Sequence, residues 1–168
     1  DCYFVRLGPK PLLLGGSNLC PAGCGKAADL DHDGSIEFEV PDIGLSFSKD
    51  EAGRELDVPV VYGYRNGEFV DLTTSVARGK LESLLQRAKT RARMIARRDE
   101  EDRDGWYAAA VTWYACAVML GHDDAATRRE MKATLTHAQW VGFQEDFIQI
   151  HEHIEERSTR FVLGDGLG

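Results

Sequence analysis

The chain has 168 residues, of which 43% are hydrophobic and 29% are charged, and its formal net charge is −8. This length and composition indicate one domain or two small packed parts, and they exclude a wholly disordered chain. The excess of acidic over basic residues argues against nucleic-acid binding, because a phosphate backbone favours a positive protein surface. No run of about 18 apolar residues occurs, so we expect no transmembrane segment.

Residues 1–73 are predicted to form a small β-rich part. Asn66-Gly67 lies between two β-type runs and predicts a hairpin, since both residues tolerate the positive φ values of a type I′ turn. Short apolar runs between Gly- and Pro-rich turns predict strands at 3–7, 11–14, 36–40, 44–47 and 58–64.

Residues 74–168 are predicted to form a bundle of about four helices, because apolar residues now recur at three- and four-residue steps. The helix over 103–120 is apolar on nearly all sides, which is typical of the centre of a helical layer. Thr136 and Gln139 form a capping-box pattern that opens the last helix. The remaining predicted helices are a basic one over 78–98 and a short one that Asp123-Asp124 can cap and that runs to about 135. The fold class expected is therefore α+β.

Four cysteines are present, at positions 2, 20, 24 and 116. Cys20 and Cys24 frame a loop rich in Pro and Gly that can bring two sulfurs together, so a disulfide between them is one expectation. Free thiols are a second interpretation and a metal site a third, although no second Cys pair of zinc-site spacing exists. Cys116 lies in an apolar helical run and is expected to be a buried, unreactive thiol.

The segment 29–37 has the spacing of a calcium-binding loop. Carboxylates at loop positions 1, 3 and 5 point to one centre when the backbone curls, and Gly34 at position 6 permits the bend. Calcium takes six to eight hard oxygen ligands, whereas zinc prefers Cys and His. The predicted ligands of Ca²⁺ are Asp29, Asp31, Asp33, the carbonyl of Ser35, and Glu37.

The loop departs from the helical EF-hand pattern at position 12, where Val40 replaces the bidentate Glu. Its flank also alternates apolar and acidic residues like a strand, so the loop is expected to lie between extended segments. The alternative interpretation is a metal-free turn, because Asp and Gly also favour turns.

The loop resembles the D-x-D-x-D-G-x-x-[DE] calcium loop of FG-GAP and VCBS-like β-hairpins, and the stretch 59–70 is similar to the hairpin that follows it. The resemblance implies a bacterial exported protein, periplasmic or secreted with its leader removed. It also implies the five ligands named above. It carries no enzymatic motif, so the leading hypothesis is a non-enzymatic calcium-binding protein in which the ion orders a β-hairpin loop.

The helix over 78–98 gives an alternative function. Residues 74–99 carry a net charge of +6, while the stretches on either side carry −7 each. Such a basic face is either solvated, paired with acidic neighbours, or a surface for a protein partner, as in an immunity or envelope factor. The candidate partner-binding residues are Arg87, Arg91, Arg93, Arg97 and Arg98.

A third hypothesis concerns His151 and Glu155, which share a helix face at i and i+4. They could hold a transition metal for hydrolysis, but the second His of an H-E-x-x-H motif is absent, so a polar outer helix face is the alternative.

Overall fold

The computed structural model of the chain describes residues 2–6, 12–17, 25–45, 56–65, 68–98 and 103–157. These residues form antiparallel sheets followed by helices, which confirms the α+β class. The strands are β1 (Cys2–Arg6), β2 (Leu12–Ser17), β3 (Lys26–Ala28), β4 (Glu37–Pro41), β5 (Pro59–Arg65) and β6 (Glu68–Asp71). The helices are α1 (Thr73–Val76), α2 (Arg78–Arg98), α3 (Arg103–Met119), α4 (Asp124–Thr134), α5 (His137–Phe143) and α6 (Asp146–Arg157).

The larger sheet has the order β3-β4-β5-β6, and each neighbouring pair is antiparallel. Arg65 pairs with Glu68, so a two-residue connection joins β5 to β6 as Asn66-Gly67 predicts. Strand β3 was not predicted, because a three-residue strand is too short to show alternation. Strands β1 and β2 pair in a separate two-stranded sheet.

The predicted strand over 44–47 is wrong where the structure describes it, because Ile43–Leu45 forms a 3₁₀ helix. Asp42 causes this turn: its Oδ1 accepts the Gly44 amide at 3.1 Å and its carbonyl accepts the Leu45 amide at 3.1 Å. An Asp that bonds the backbone two residues ahead favours a turn over a strand. Positions 46–47 lie outside the described residues.

Helix α3 lies at the centre of the helical layer, as its apolar composition predicts. Trp113 and Tyr114 are fully buried, and the ring of Phe147 from α6 packs edge-on against Tyr114, with the centroids 4.6 Å apart. The same core includes Leu56 and Val58 from the region before the helices. The main apolar core therefore crosses the predicted boundary between 1–73 and 74–168, whereas Val40, Val60 and Tyr62 form a separate small cluster on the sheet.

The capping box at Thr136 and Gln139 is confirmed, but the single helix predicted after it is two helices, α5 and α6. Asp123 caps α4 as expected, with its Oδ1 accepting the Ala126 amide at 2.6 Å. Among the helices of the described ranges, none combines the length and apolar character needed to cross a membrane.

Helix α6 is tied to the sheet by a buried ion cluster, which we define as Asp42, Asp71, His153 and Arg157. Arg157 donates to Asp42 Oδ2 at 3.0 Å and to Asp71 Oδ2 at 2.8 Å, and only 5% of its surface is exposed. His153 Nε2 lies 2.8 Å from Asp42 Oδ1. These contacts fix the last helix against the ends of β4 and β6.

Candidate metal centre

The acidic loop, residues 29–37, joins β3 to β4. Ala28 pairs with Glu37 in the antiparallel ladder, so the chain leaves the sheet and returns at the same point. His32 and Gly34 take positive φ angles of 62° and 89°, which allow the tight curl between them. The loop thus lies between two strands, as the alternating flank predicts.

Each carboxylate of the loop uses one oxygen to hold the backbone. Asp29 Oδ2 accepts the Gly34 amide at 3.1 Å, and Asp31 Oδ1 accepts the Asp33 amide at 3.2 Å. Asp33 Oδ1 accepts the Ser35 amide at 2.7 Å, and Glu37 Oε2 accepts the Leu30 amide at 2.9 Å. The carboxylates therefore face the interior of the curl, and each keeps a second oxygen for another partner.

Three of the carboxylates meet at one place. One oxygen from each of Asp29, Asp31 and Glu37 lies within 4.8 Å of the others. Calcium–oxygen distances are about 2.3–2.6 Å, so two ligands on opposite sides of an ion are about 5 Å apart. Asp29 Oδ1 is buried and has no hydrogen-bond partner, which a cation would correct. The donor set and its spacing fit a hard divalent cation.

Arg65, from the end of β5, reaches into the same place. Its Nη2 lies 2.7 Å from Glu37 Oε1, 3.0 Å from Asp33 Oδ2 and 3.8 Å from Asp31 Oδ2. The loop carries four carboxylates, three of which contact this one guanidinium, so the group keeps a net charge of about −3. Arg65 thus compensates part of the acidic charge.

The electrostatics of the site follow from these contacts. Hydrogen bonds from the Ser35 amide and side chain, together with the charge of Arg65, hold the pKa of Asp33 below its usual range. The hydrogen bond to Glu37 and the charges of the loop raise the pKa of Arg65. Glu37 is 0% exposed, and its two bonded oxygens make it the buried anchor of the site.

The structure brings the predicted ligands Asp29, Asp31 and Glu37 together, whereas Asp33 faces Arg65 and Ser35 enters the loop as an amide donor. Sequence reasoning missed Arg65. The alternation of side chains along β5 indicates that Arg65 lies on the same face as Gly63. The approach of Arg65 to Glu37 depends, however, on a strand register that the sequence leaves open.

The basic surface of α2 is partly neutralised by acids of other elements. Arg93 Nη2 and Lys89 Nζ bind Glu130 of α4 at 3.0 and 2.7 Å, and Lys80 pairs with Glu39 of β4. Arg91 also makes a contact within the protein. These pairs support the interpretation of the basic face as charge pairing within the fold.

Arg87 is exposed and lines a groove of about 360 Å³ between β4 and α2. The groove also contains Lys26, Lys80, Glu39 and Asp57, so its lining carries charges of both signs. The side chains of Arg97 and Arg98 lie outside the described residues. A protein partner for this surface stays a prediction.

His151 Nδ1 lies 3.3 Å from Glu155 Oε1, so the two share a helix face as predicted. Within the described ranges, no third His, Cys, Asp or Glu joins them to form a metal site. Cys116 is buried and free, and burial raises the pKa of its thiol to about 12, which makes it unreactive. Cys20 and Cys24 fall outside the described residues, so their disulfide stays a prediction.

Comparisons with protein-family models, with curated proteins and with solved structures found no match to this chain. The resemblance to FG-GAP and VCBS-like loops therefore rests on the acidic loop and its hairpin.

Proposed function

We propose that this protein binds calcium through the acidic loop, and that the ion orders the loop between β3 and β4. The observation that carries the proposal is the convergence of Asp29, Asp31 and Glu37: one oxygen of each lies within 4.8 Å of the others, and each also holds the loop backbone through a hydrogen bond. Asp29 Oδ1, buried and without a partner, is the acceptor most in need of a cation.

The charge of the site supports a divalent ion. Four carboxylates at short range repel one another, and one arginine offsets only part of that repulsion. A bound Ca²⁺ would bring the net charge of about −3 to about −1 and give hard oxygens their preferred partner. The ion would therefore stabilise the folded loop.

We propose an exported location, periplasmic or secreted, and a binding role rather than a catalytic one. Position 12 of the loop is Val40, so the site lacks the bidentate Glu of high-affinity loops. Calcium sites of extracellular modules bind with dissociation constants of about 10⁻⁴–10⁻³ M, which suits compartments where calcium is plentiful. We also propose that this chain is related to the bacterial FG-GAP and VCBS-like proteins.

Thermal unfolding in EGTA and in excess CaCl₂ tests the proposal. At a hundredfold excess over the dissociation constant, calcium should add about 2.7 kcal/mol to the free energy of unfolding. Asp29→Asn should abolish this gain, because an amide can still accept the Gly34 hydrogen bond but its NH₂ group cannot bind the ion.

Glu82→Gln is the matched control, since Glu82 is an exposed carboxylate on α2 that pairs with Arg78. This variant should keep the full calcium response. Identical melting of the wild type in EGTA and in calcium would contradict the proposed function.

A further inference from the structure

The side chain of Arg65 contacts carboxylates that the proposed ion would also use. A single nitrogen, Nη2, contacts Glu37 at 2.7 Å and Asp33 at 3.0 Å and lies 3.8 Å from Asp31. Asp31 and Glu37 are also members of the convergent carboxylate group. The guanidinium and a metal ion would therefore compete for the same two carboxylates.

The sheet gives Arg65 a defined path to this position. Gly63 pairs with Glu37 across the β4–β5 ladder, and Arg65 follows two residues later on the same face. A Cβ at Gly63 would lie 3.3 Å from Arg65 Nη1 and would collide with Leu72 Cδ1. The absence of a side chain at Gly63 leaves the space that the guanidinium crosses to reach Glu37.

Arg65 leaves one acceptor unsatisfied. Asp29 Oδ1 is buried with no hydrogen-bond partner, and Asp29 belongs to the same convergent group of carboxylates. A planar guanidinium donates along fixed directions, whereas calcium accepts oxygens from many directions. This buried oxygen is the independent sign that the centre is suited to a spherical ion as well as to Arg65.

We propose that Arg65 is a resident competing cation: calcium and the Arg65 guanidinium occupy the loop centre in turn, so that Arg65 sets the calcium affinity and leaves the loop when the ion binds. This inference rests on the proposed calcium-binding function. Two positive groups cannot both lie against the oxygens of Glu37 and Asp31 without strong repulsion. Binding of either one therefore lowers the affinity for the other.

Calorimetric titration of the apo protein with CaCl₂ tests the inference on the wild type, Arg65→Met and Arg65→Lys. A charge within about 4–6 Å changes the binding of a proton by about ten- to a thousandfold. Arg65→Met removes the competitor at nearly constant length and should bind calcium at least about tenfold more tightly. Arg65→Lys keeps the charge and should stay closer to the wild-type affinity than to that of Arg65→Met.

Arg78→Met is the matched control, because Arg78 pairs with Glu82 on the exposed face of α2. Its calcium affinity should equal that of the wild type. In the wild type, the side-chain NMR signals of Arg65 should shift during the titration as the guanidinium leaves Glu37.

The outcomes separate the inference from the function on which it rests. Equal affinity of the wild type and Arg65→Met overturns the role of Arg65 and leaves calcium binding intact. Binding by Arg65→Met alone supports the competition and contradicts the proposed function of the wild type. Absence of binding in both contradicts both proposals.

Circular dichroism covers the case in which Arg65→Met is unfolded without calcium. Folding of this variant at a lower calcium concentration than saturates the wild type supports the inference, and failure to fold in millimolar calcium overturns it.

Discussion

Two groups of acidic side chains in this protein each meet one arginine, and they differ in charge balance. In the buried ion cluster, Asp42 and Asp71 face Arg157, and His153, the fourth member, is a second partner of Asp42. In the acidic loop, Arg65 pairs with Asp31, Asp33 and Glu37, and the fourth carboxylate, that of Asp29, accepts the Gly34 amide instead. Arg157 is 5% exposed, whereas the side chain of Arg65 is 26% exposed.

The difference shows how the same chemistry serves two purposes. A buried group must be nearly neutral and fully hydrogen-bonded, because isolated charges away from water are costly. A surface loop can keep excess negative charge, which makes it responsive to a cation from solution. The buried ion cluster is therefore structural, and the acidic loop is the candidate binding site.

Among the variants that test this comparison, Arg157→Met should have the largest effect on stability. It leaves Asp42 and Asp71 buried without their arginine, so the free energy of unfolding should fall by about 3–5 kcal/mol. Urea unfolding measures the loss. Arg78→Met, which breaks an exposed i,i+4 pair, should cost about 0.5 kcal/mol or less. A similar small loss in both variants would refute a structural role for the buried ion cluster.

Gly63→Ala tests the packing of Leu72 and Arg65 beside the acidic loop. The added Cβ would press on Leu72 and on Arg65 Nη1, and such overpacking should cost about 1–3 kcal/mol. Gly79→Ala is the control, because a Cβ there meets nothing within 4 Å and Ala favours the α2 helix by about 0.5–1 kcal/mol. If urea unfolding finds Gly63→Ala as stable as the wild type, the close passage of Arg65 past Gly63 is wrong.

The free energy of unfolding measured at acidic pH tests the charge balance of the buried ion cluster. Burial raises the pKa of Asp42, but the hydrogen bond with His153 and the charges of His153 and Arg157 outweigh it and bring the pKa below the ordinary value of 3.8. Asp42 therefore contributes stability above about pH 4, which is lost as the pH falls through its folded pKa.

The loss from this one carboxyl should not exceed about 1.4 kcal/mol per pH unit. Asp42→Asn should be less stable than the wild type at neutral pH but should show a shallower decline in acid. Parallel stability–pH curves for the two proteins between pH 5 and pH 2 would be inconsistent with the lowered pKa of Asp42.

Sequence reasoning predicted the features that depend on neighbouring residues. The helices around Asp123 and Thr136 follow from local capping, and the β5–β6 hairpin follows from Asn66-Gly67. The convergence of Asp29, Asp31 and Glu37 was also predicted, because the spacing within one loop fixes which side chains face its centre.

The features it missed depend on residues far apart in the chain. Arg65 reaches the loop through a strand register that pairs Gly63 with Glu37, 26 positions apart. His153 and Arg157 reach Asp42 across more than a hundred residues, which no local pattern reveals. The 3₁₀ helix at Ile43–Leu45 was missed because side-chain bonding by Asp42 overrides the apolar pattern that favours a strand.

A crystal structure of the wild type grown in millimolar calcium tests the central claim most directly. We expect an ion with anomalous signal, about 2.3–2.6 Å from oxygens of Asp29, Asp31 and Glu37, with the Arg65 guanidinium turned away from them. An acidic loop that holds no ion under these conditions, with Arg65 still bound to Glu37, would contradict it.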